Sequence, residues 1–202
     1  MKTRLPIVAI AVITLLASAT ARADSFIQLA LFPPVQLVPE DQSISGLRLE
    51  IFGRNRDVVG VDLGIAHQTT GDFQGVGTGF LHMVGNDTYG LQWSLLNSTK
   101  RDLYGWQSSV FNRIGADLVG VQTGLISFTE RDMYGVQISV YSQARAYAEG
   151  AQVGVLNLSS EVAGLQLGLI NITDKMYGLQ IGLWNQINEK SWKVIPLVNW
   201  NF

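Results

Sequence analysis

The sequence predicts an all-β fold, in the first instance an antiparallel up-and-down transmembrane β-barrel of about 12 short strands. Three observations lead to this prediction. One motif recurs at intervals of 14 or 15 residues, each copy alternates with a period of two, and an aromatic strand follows the last copy. A β-solenoid with coils of 14–15 residues is the alternative.

Residues 1–23 have the pattern of a cleaved bacterial secretory signal. Lys2 and Arg4 precede an apolar stretch, and Ala21-Arg22-Ala23 is a small-x-small cleavage site. The chain contains no cysteine, which excludes a lipoprotein, a disulfide scaffold and a thiolate metal site. We therefore expect residues 24–202 to form one exported β-repeat domain in the outer membrane or, in the alternative, in the periplasm or at the cell surface.

Residues 24–45 precede the repeats and predict one additional strand. The segment from Ser25 to Pro39 is largely apolar, and it contains Pro33 and Pro34. Proline cannot donate a hydrogen bond to a central ladder, so this pair marks the end of a strand or a bulge.

Residues 46–185 contain ten copies of G-[LVA]-Q-x-[GS]-[LV]-apolar-N, which we number from the central residue as position 0. Positions −1 and +3 are apolar in every copy, whereas positions 0 and +2 lie on the opposite face and are polar or small. Alternation of this kind is typical of a β-strand. The central residues are Arg48, Asp62, Gly77, Gln92, Gln107, Gln122, Gln137, Gln152, Gln166 and Gln180.

Two architectures would bury the apolar face, which is too large to leave exposed on a soluble monomer. In a barrel it faces lipid, and a strand of about nine residues tilted by about 40° spans roughly 23 Å, close to the apolar band of about 25 Å. In a solenoid it turns inward, and the Asn residues at position +5 stack as a ladder. Connections such as NSTKRDLY offer few apolar residues for the second wall of a coil, which favours the barrel.

Residues 186–202 end in WKVIPLVNWNF, a strand with aromatic residues at alternate positions. Trp200 and Phe202 resemble the assembly signal of bacterial outer-membrane barrels, which implies the barrel-assembly machinery and outer-membrane lipid as partners. The repeats resemble a family of bacterial surface-repeat proteins built on G-L-Q-x-G-L-x-N units, from about Leu31 to Phe202. That resemblance implies a surface location and no particular activity.

The charged residues Arg48, Glu50 and Asp62 are the only ones between positions −2 and +4 of the ten copies, and all three share the Gln face. In a barrel they form a lumen charge cluster, which is either a buried ion pair or a constriction that sets ion selectivity. The predicted lumen belt consists of Gln92, Gln107, Gln122, Gln137, Gln152, Gln166 and Gln180. The predicted interface aromatics are Tyr89, Tyr104, Tyr134 and Tyr177.

His67 and His82 are 15 residues apart at position +5. In a solenoid they would stack and could bind a metal, whereas in the favoured barrel they are turn residues, so we predict no metal or cofactor. A net charge of −2 gives no indication of nucleic-acid binding, and no nucleophile, base and orienting group can be argued together. The predicted function is a small outer-membrane barrel with a structural, surface-exposed or narrow-pore role and no catalysis. The alternative is a secreted or periplasmic solenoid that binds partners through its repeat face.

Overall fold

The computed structural model describes residues 25–202, so the predicted signal at residues 1–23 lies outside the described part of the chain. The described residues form strands, turns and bends. Within them, no helix is long and apolar enough to cross a membrane.

Twelve strands follow one another along the described chain. The strand β11 is continuous through several coils, because the chain bends there without leaving the extended conformation. The strands are β1 (Ser25–Phe32), β2 (Val35–Gln36), β3 (Ile44–Asn55), β4 (Val58–Thr69), β5 (Phe73–Thr78), β6 (Leu81–Val84), β7 (Thr88–Trp93), β8 (Leu96–Thr99), β9 (Leu103–Ile114), β10 (Leu118–Thr129), β11 (Met133–Ile187) and β12 (Val194–Asn201).

The repeats wind as a parallel β-solenoid, so the predicted antiparallel barrel is wrong. Strand β3 pairs with β4 in parallel, with Arg48 opposite Asp62. Gln122 of β10 lies opposite Gln107 of β9 and Gln137 of β11, again in parallel. The offset between partners equals the repeat spacing, whereas in hairpins the two partner numbers would have a constant sum. Each copy of the motif is therefore one coil.

Two corners shape each coil. The first is the glycine at position −2, which has a positive φ in all ten coils, for example 142° at Gly164. A Cβ at Gly164 would also collide with the carbonyl oxygen of Gly150 in the preceding coil, so only glycine fits. The second corner lies between positions +2 and +5, where the inter-coil register passes from Gly124 directly to Ile126 and omits Leu125.

The interior of the solenoid contains a mainly apolar stack at position −4, a mixed polar and apolar stack at position +7 and two polar stacks. Position −4 is buried in every coil, and it is apolar except at Thr88. Opposite it, the residues at positions 0 and +5 are buried wherever they are Gln, Asn, His or charged. The position −4 residues are Ile44, Val58, Phe73, Thr88, Leu103, Leu118, Met133, Ala148, Val162 and Met176.

The apolar face defined by positions −1 and +3 points outward, which also corrects the solenoid alternative as we predicted it. Leu125, for example, is 52% exposed, while Gln122 in the same coil is fully buried. An amide side chain can donate to the coil on one side and accept from the coil on the other. A buried stack of identical amides is therefore satisfied, and the polar face can form the core.

Different strands close the two ends of the stack. β1 pairs in parallel with β3, so Gln28 lies opposite Arg48. β12 pairs antiparallel with the last coil of β11, and Gln180 lies opposite Asn199. β1 ends at Phe32, directly before Pro33 and Pro34.

Candidate functional site

The glutamines at position 0 form one chain of side-chain hydrogen bonds along the solenoid axis. In each step Nε2 donates to Oε1 of the glutamine in the preceding coil, over distances from 2.8 Å to 3.3 Å. All of these side chains are at least 98% buried, so they fill the interior and do not line an open lumen. Oε1 of Gln180, at the end of this chain, has no hydrogen-bond partner among the described residues.

The asparagines at position +5 form a second ladder that runs in the opposite direction. Nδ2 of Asn157 donates to Oδ1 of Asn171 and Nδ2 of Asn171 donates to Oδ1 of Asn185, both at 2.8 Å. Nδ2 of Asn157 also donates to the backbone carbonyl of Leu167, beside the second corner of the next coil. The amide therefore bonds a backbone group at the corner as well as its own neighbour.

The side chain at position +2 is small because the residue at +5 of its own or the preceding coil projects towards it. A Cβ at Gly168 would lie only 2.6 Å from Nδ2 of Asn157. In the first coil the sizes are exchanged, since Glu50 stands at +2 and Gly53 at +5. A Cβ at Gly53 would collide with the carboxylate of Glu50. Positions +2 and +5 therefore compete for the same space inside the solenoid, and only one of them can carry a long side chain.

A buried ionic cluster replaces the amide ladders in the first coils. Arg48 binds Asp62 through two hydrogen bonds, Nε to Oδ1 at 2.8 Å and Nη2 to Oδ2 at 2.5 Å. Both side chains are fully buried. Arg48 Nε also lies 3.3 Å from Oε1 of Glu50. The three charges predicted as a lumen cluster thus lie together as a buried network, and the filled interior rules out the ion-selective constriction.

His67 belongs to this cluster and is doubly protonated. Its Nδ1 lies 2.7 Å from Oε1 of Glu50 and 2.8 Å from Oδ1 of Asp62, and its Nε2 lies 3.0 Å from the carbonyl oxygen of Thr78. All three partners are acceptors, so both ring nitrogens carry a proton. Burial alone would lower the pKa of His67, but the hydrogen bonds to Asp62 and Glu50 outweigh it and raise the pKa to about 9.

His82 is neutral and joins the ionic cluster to the glutamine ladder. Its Nε2 donates to Oδ2 of Asp62 at 3.1 Å, while its Nδ1 accepts from Nε2 of Gln92 at 2.6 Å. Burial lowers the pKa of His82, in agreement with this tautomer. Its ring centroid lies 5.1 Å from that of His67, so the two histidines are stacked interior residues and our prediction that they are turn residues is wrong.

The two carboxylates of the cluster have different environments. Burial would raise the pKa of Asp62, but the charge of Arg48 and the hydrogen bonds from both histidines hold it well below its usual value. Burial raises the pKa of Glu50, and the hydrogen bond from His67 only partly opposes it. Oε2 of Glu50 has no partner among the described residues. With both carboxylates ionised, two negative charges balance Arg48 and protonated His67.

The cluster is built for hydrogen bonding and not for metal binding. Asp62, His67 and His82 each offer a ligand atom, and these atoms lie within 4.8 Å of one another. However, Arg48 occupies both oxygens of Asp62, and both nitrogens of His67 donate to oxygen acceptors. A metal would require His67 to lose its protons and Arg48 to leave.

The sequence did not lead us to place His67 and His82 in the buried ionic cluster. One feature of the sequence could have located them. Position +2 is small wherever position +5 is larger than glycine, which indicates that the side chain at +5 points inward beside position 0. His67 and His82 occupy position +5 in the two coils that follow Arg48, where asparagine would otherwise stand.

The outer surface carries a continuous apolar ridge, which we define as position +3 of the ten coils. Every one of these side chains is at least 42% exposed. Positions −1 and +1 form one flank of the ridge and position +4 forms the other. The ridge residues are Ile51, Ile65, Phe80, Leu95, Val110, Leu125, Val140, Val155, Leu169 and Leu183.

The tyrosines predicted as interface aromatics form a row at position −3, beyond the glycine corner from the ridge. Tyr89 and Tyr104 are stacked, with ring centroids 4.9 Å apart, and Tyr134 contacts Tyr147 at 6.2 Å. Tyr177 is exposed in the last coil. A barrel would have placed these residues at two opposite rims, whereas the parallel coils place them on one side.

The residues predicted as an assembly signal lie at the C-terminal end of the solenoid. Trp200 of β12 is exposed, and Nζ of Lys190 lies over its ring, 5.8 Å from the ring centroid. Phe202 is 90% exposed. Recognition by an assembly machinery stays a prediction, and the barrel on which that prediction was founded is absent.

Comparison of the chain with protein-family models, with curated proteins and with solved structures finds no match. The resemblance to surface-repeat proteins therefore stays a prediction from the motif, and function has to be argued from the geometry of the ridge and the interior.

Proposed function

We propose that the chain is an exported, non-catalytic β-solenoid that binds through its apolar ridge. One observation carries this proposal: the residue at position +3 is large, apolar and exposed in all ten coils. The role we predicted for an outer-membrane barrel is not retained, because the coils are parallel and their interior is filled.

The size of the ridge indicates a binding surface. Coils are stacked about 4.8 Å apart, so ten coils give a ridge roughly 45 Å long. Soluble monomers rarely leave more than a few hundred Å² of contiguous apolar surface uncovered. Covering one exposed leucine or isoleucine stabilises a complex by up to about 1.5–3 kcal/mol before the costs of association. Ten such residues in one row provide an ample driving force.

The interior favours a structural role for the polar residues. The charged cluster and the glutamine ladder are almost completely shielded from solvent, and nearly every polar atom in them has a hydrogen-bond partner within the chain. A substrate could not reach them without separating the coils. Export is supported by the sequence of residues 1–23.

Phase separation in a cloud-point detergent tests the role of the ridge. The purified chain is expected in the detergent-rich phase, and a variant with Leu125→Glu and Leu169→Glu is expected in the aqueous phase. Both leucines are more than half exposed, so these substitutions leave the interior intact. Thr70→Glu with Ser160→Glu adds the same charge on exposed residues at position +8, away from the ridge, and serves as the control. Recovery of the parent chain in the aqueous phase would contradict the proposal.

Export is tested separately by expression in bacteria with the N-terminal segment intact. The mass of the chain recovered outside the cytoplasm is expected to correspond to residues 24–202. A chain of full mass that stays in the cytoplasm would refute export and leave the ridge proposal to its own test.

A further inference from the structure

We infer that the ridge binds lipid hydrocarbon: the solenoid lies along a bilayer surface with its axis parallel to the membrane and its ridge among the acyl chains. This inference rests on the proposed function and names the partner of the ridge. It describes peripheral insertion to a depth of about 5–10 Å, comparable to that of an interfacial amphipathic helix.

The ridge is convex, which favours a fluid partner. Positions +2 and +5 point into the solenoid, whereas +3 and +4 between them both point outward. In the coil of Gln122, these outward residues are Leu125 and Ile126, and both are exposed. Apolar side chains therefore lie on both slopes of a corner. The flat face of a protein would cover one slope, whereas acyl chains can surround both.

From Ile65 to Val110, backbone groups at the ridge corner bond to one another between coils. At the corner itself the chain continues the inter-coil ladder, since the amide of Phe80 donates to the carbonyl of Ile65 at 2.8 Å. Leu95 donates to Phe80 at 3.0 Å and Val110 to Leu95 at 3.1 Å in the same way. A surface can enter hydrocarbon only when its backbone hydrogen bonds are satisfied internally, and these corner bonds contribute to that condition.

Charged side chains are kept away from the ridge. Positions −1, +3 and +4 contain no charged residue in any coil. The outer charges lie mainly at the turns, and several of them form pairs of opposite sign, such as Arg131 with Asp117 and Arg145 with Glu130. Binding is therefore expected to be driven by apolar contact, with little dependence on anionic lipid or on salt.

Aromatic residues flank the ridge in the manner of a membrane interface. All five tryptophans of the chain are exposed. Trp106 and Trp93 lie on one flank at positions −1 and +1, and Trp184 lies on the other at +4. The tyrosine row at −3 lies beyond the glycine corner, between this flank and the charged turns. Tryptophan and tyrosine favour the headgroup region, where one side of the ring is apolar and the other is hydrated.

Vesicle binding tests the inference directly. The purified chain is mixed with vesicles of zwitterionic phosphatidylcholine and floated through a density gradient at low and high salt. In parallel, tryptophan fluorescence is measured with lipids brominated in the middle of the acyl chain. We expect co-flotation at both salt concentrations and marked quenching of the fluorescence. The Leu125→Glu and Leu169→Glu variant is expected to lose at least tenfold in binding, whereas the Thr70→Glu and Ser160→Glu control binds like the parent.

The alternative outcomes separate this inference from the proposed function. If vesicles do not bind and light scattering shows a dimer that the ridge variant dissociates, the ridge binds a second copy and the lipid inference is wrong. If the chain neither binds vesicles nor associates and also remains in the aqueous phase of the detergent test, the ridge has no partner and both proposals fail. Binding that the ridge variant retains, or that requires anionic lipid, would also overturn the inference.

Discussion

The first coils and the last coils share one backbone and fill it in two different ways. In the coils of Arg48 and Asp62, charged side chains and histidines hold the interior together, whereas in the coils of Gln152, Gln166 and Gln180 amide ladders do so. Outside, the two regions are alike, since position +3 is apolar and exposed in both. The interior can thus change its chemistry from one end to the other, while the ridge is a property of the whole molecule.

The difference also predicts unequal tolerance to mutation. A buried ion pair that loses one partner leaves an uncompensated charge, which typically costs about 3–5 kcal/mol. A neutral amide that loses its neighbour leaves an unsatisfied dipole, which costs about 1–3 kcal/mol. The first coils should therefore be the more fragile end.

The largest effect is expected from Arg48→Met. The substitution leaves Asp62 and Glu50 buried with His67 as their only cation, so the free energy of unfolding should fall by about 3–5 kcal/mol in urea titrations. A double variant, Arg48→Gln with Asp62→Gln, converts this end towards the amide ladder of the last coils and should be more stable than the single variant. A double variant less stable than Arg48→Met would show that amide side chains cannot replace the charged cluster in the interior of the first coils.

A smaller effect is expected from alkaline pH. The pKa of His67 is about 9 in the folded chain and 6.5 as its ordinary value, so the folded state binds the proton more tightly. This contribution is complete below pH 6.5 and is lost as pH rises through about 9, for a total of up to ~3 kcal/mol. Urea titrations at pH 6.5, 8 and 9.5 should show the decline. His67→Asn removes the titrating group. If that variant loses the same stability at alkaline pH, the loss comes from a group other than His67.

An interruption of the glutamine ladder should cost less. Gln137 donates to Oε1 of Gln122 at 2.8 Å and accepts from Nε2 of Gln152 at 3.0 Å. Gln137→Leu leaves both neighbours without this partner, and we expect a loss of about 1–3 kcal/mol in thermal or urea unfolding. Gln68→Leu, at the outward position +6, is the matched control and should change stability by no more than about 0.5 kcal/mol. Equal losses in the two variants would contradict a stabilising ladder.

The smallest effect on stability is expected on the ridge. Leu125 is 52% exposed, so Leu125→Glu should change the free energy of unfolding by no more than about 0.5 kcal/mol in aqueous buffer. Calorimetry without lipid or detergent provides the measurement. A loss of 2 kcal/mol or more, roughly that of a buried leucine, would show that the ridge packs against something within the chain.

Much of the architecture could be predicted from the repeat itself. The spacing of 14 or 15 residues gives the length of one coil. The contact of Arg48 with Asp62, which we predicted for level strands of a barrel, also occurs between the parallel coils. The predicted stacking of asparagines in a solenoid occurs as the ladder from Asn157 to Asn185. These features depend only on which residues are equivalent from one copy to the next.

The side of the strand that faces inward could not be read from the same pattern. Alternation with a period of two shows which residues share a face, and it does not show which face is enclosed. We assumed that the apolar face must be buried, and we therefore placed Gln137 in a wet lumen and His67 in a turn. Identical amides in neighbouring coils donate and accept hydrogen bonds from one another, and only the parallel register brings them together. The sequence of a single strand does not show this.

The opposite directions of the two amide ladders have a consequence for growth of the molecule. The Nε2 groups at position 0 point towards the N-terminal end and the Nδ2 groups at position +5 point towards the C-terminal end, so the dipoles of one coil largely cancel. Adding a coil with both amides therefore adds little net side-chain dipole along the axis. Duplication of one unit would lengthen the ridge by about 4.8 Å without an electrostatic penalty at the ends. The length of the ridge can thus change in evolution by one repeat unit at a time.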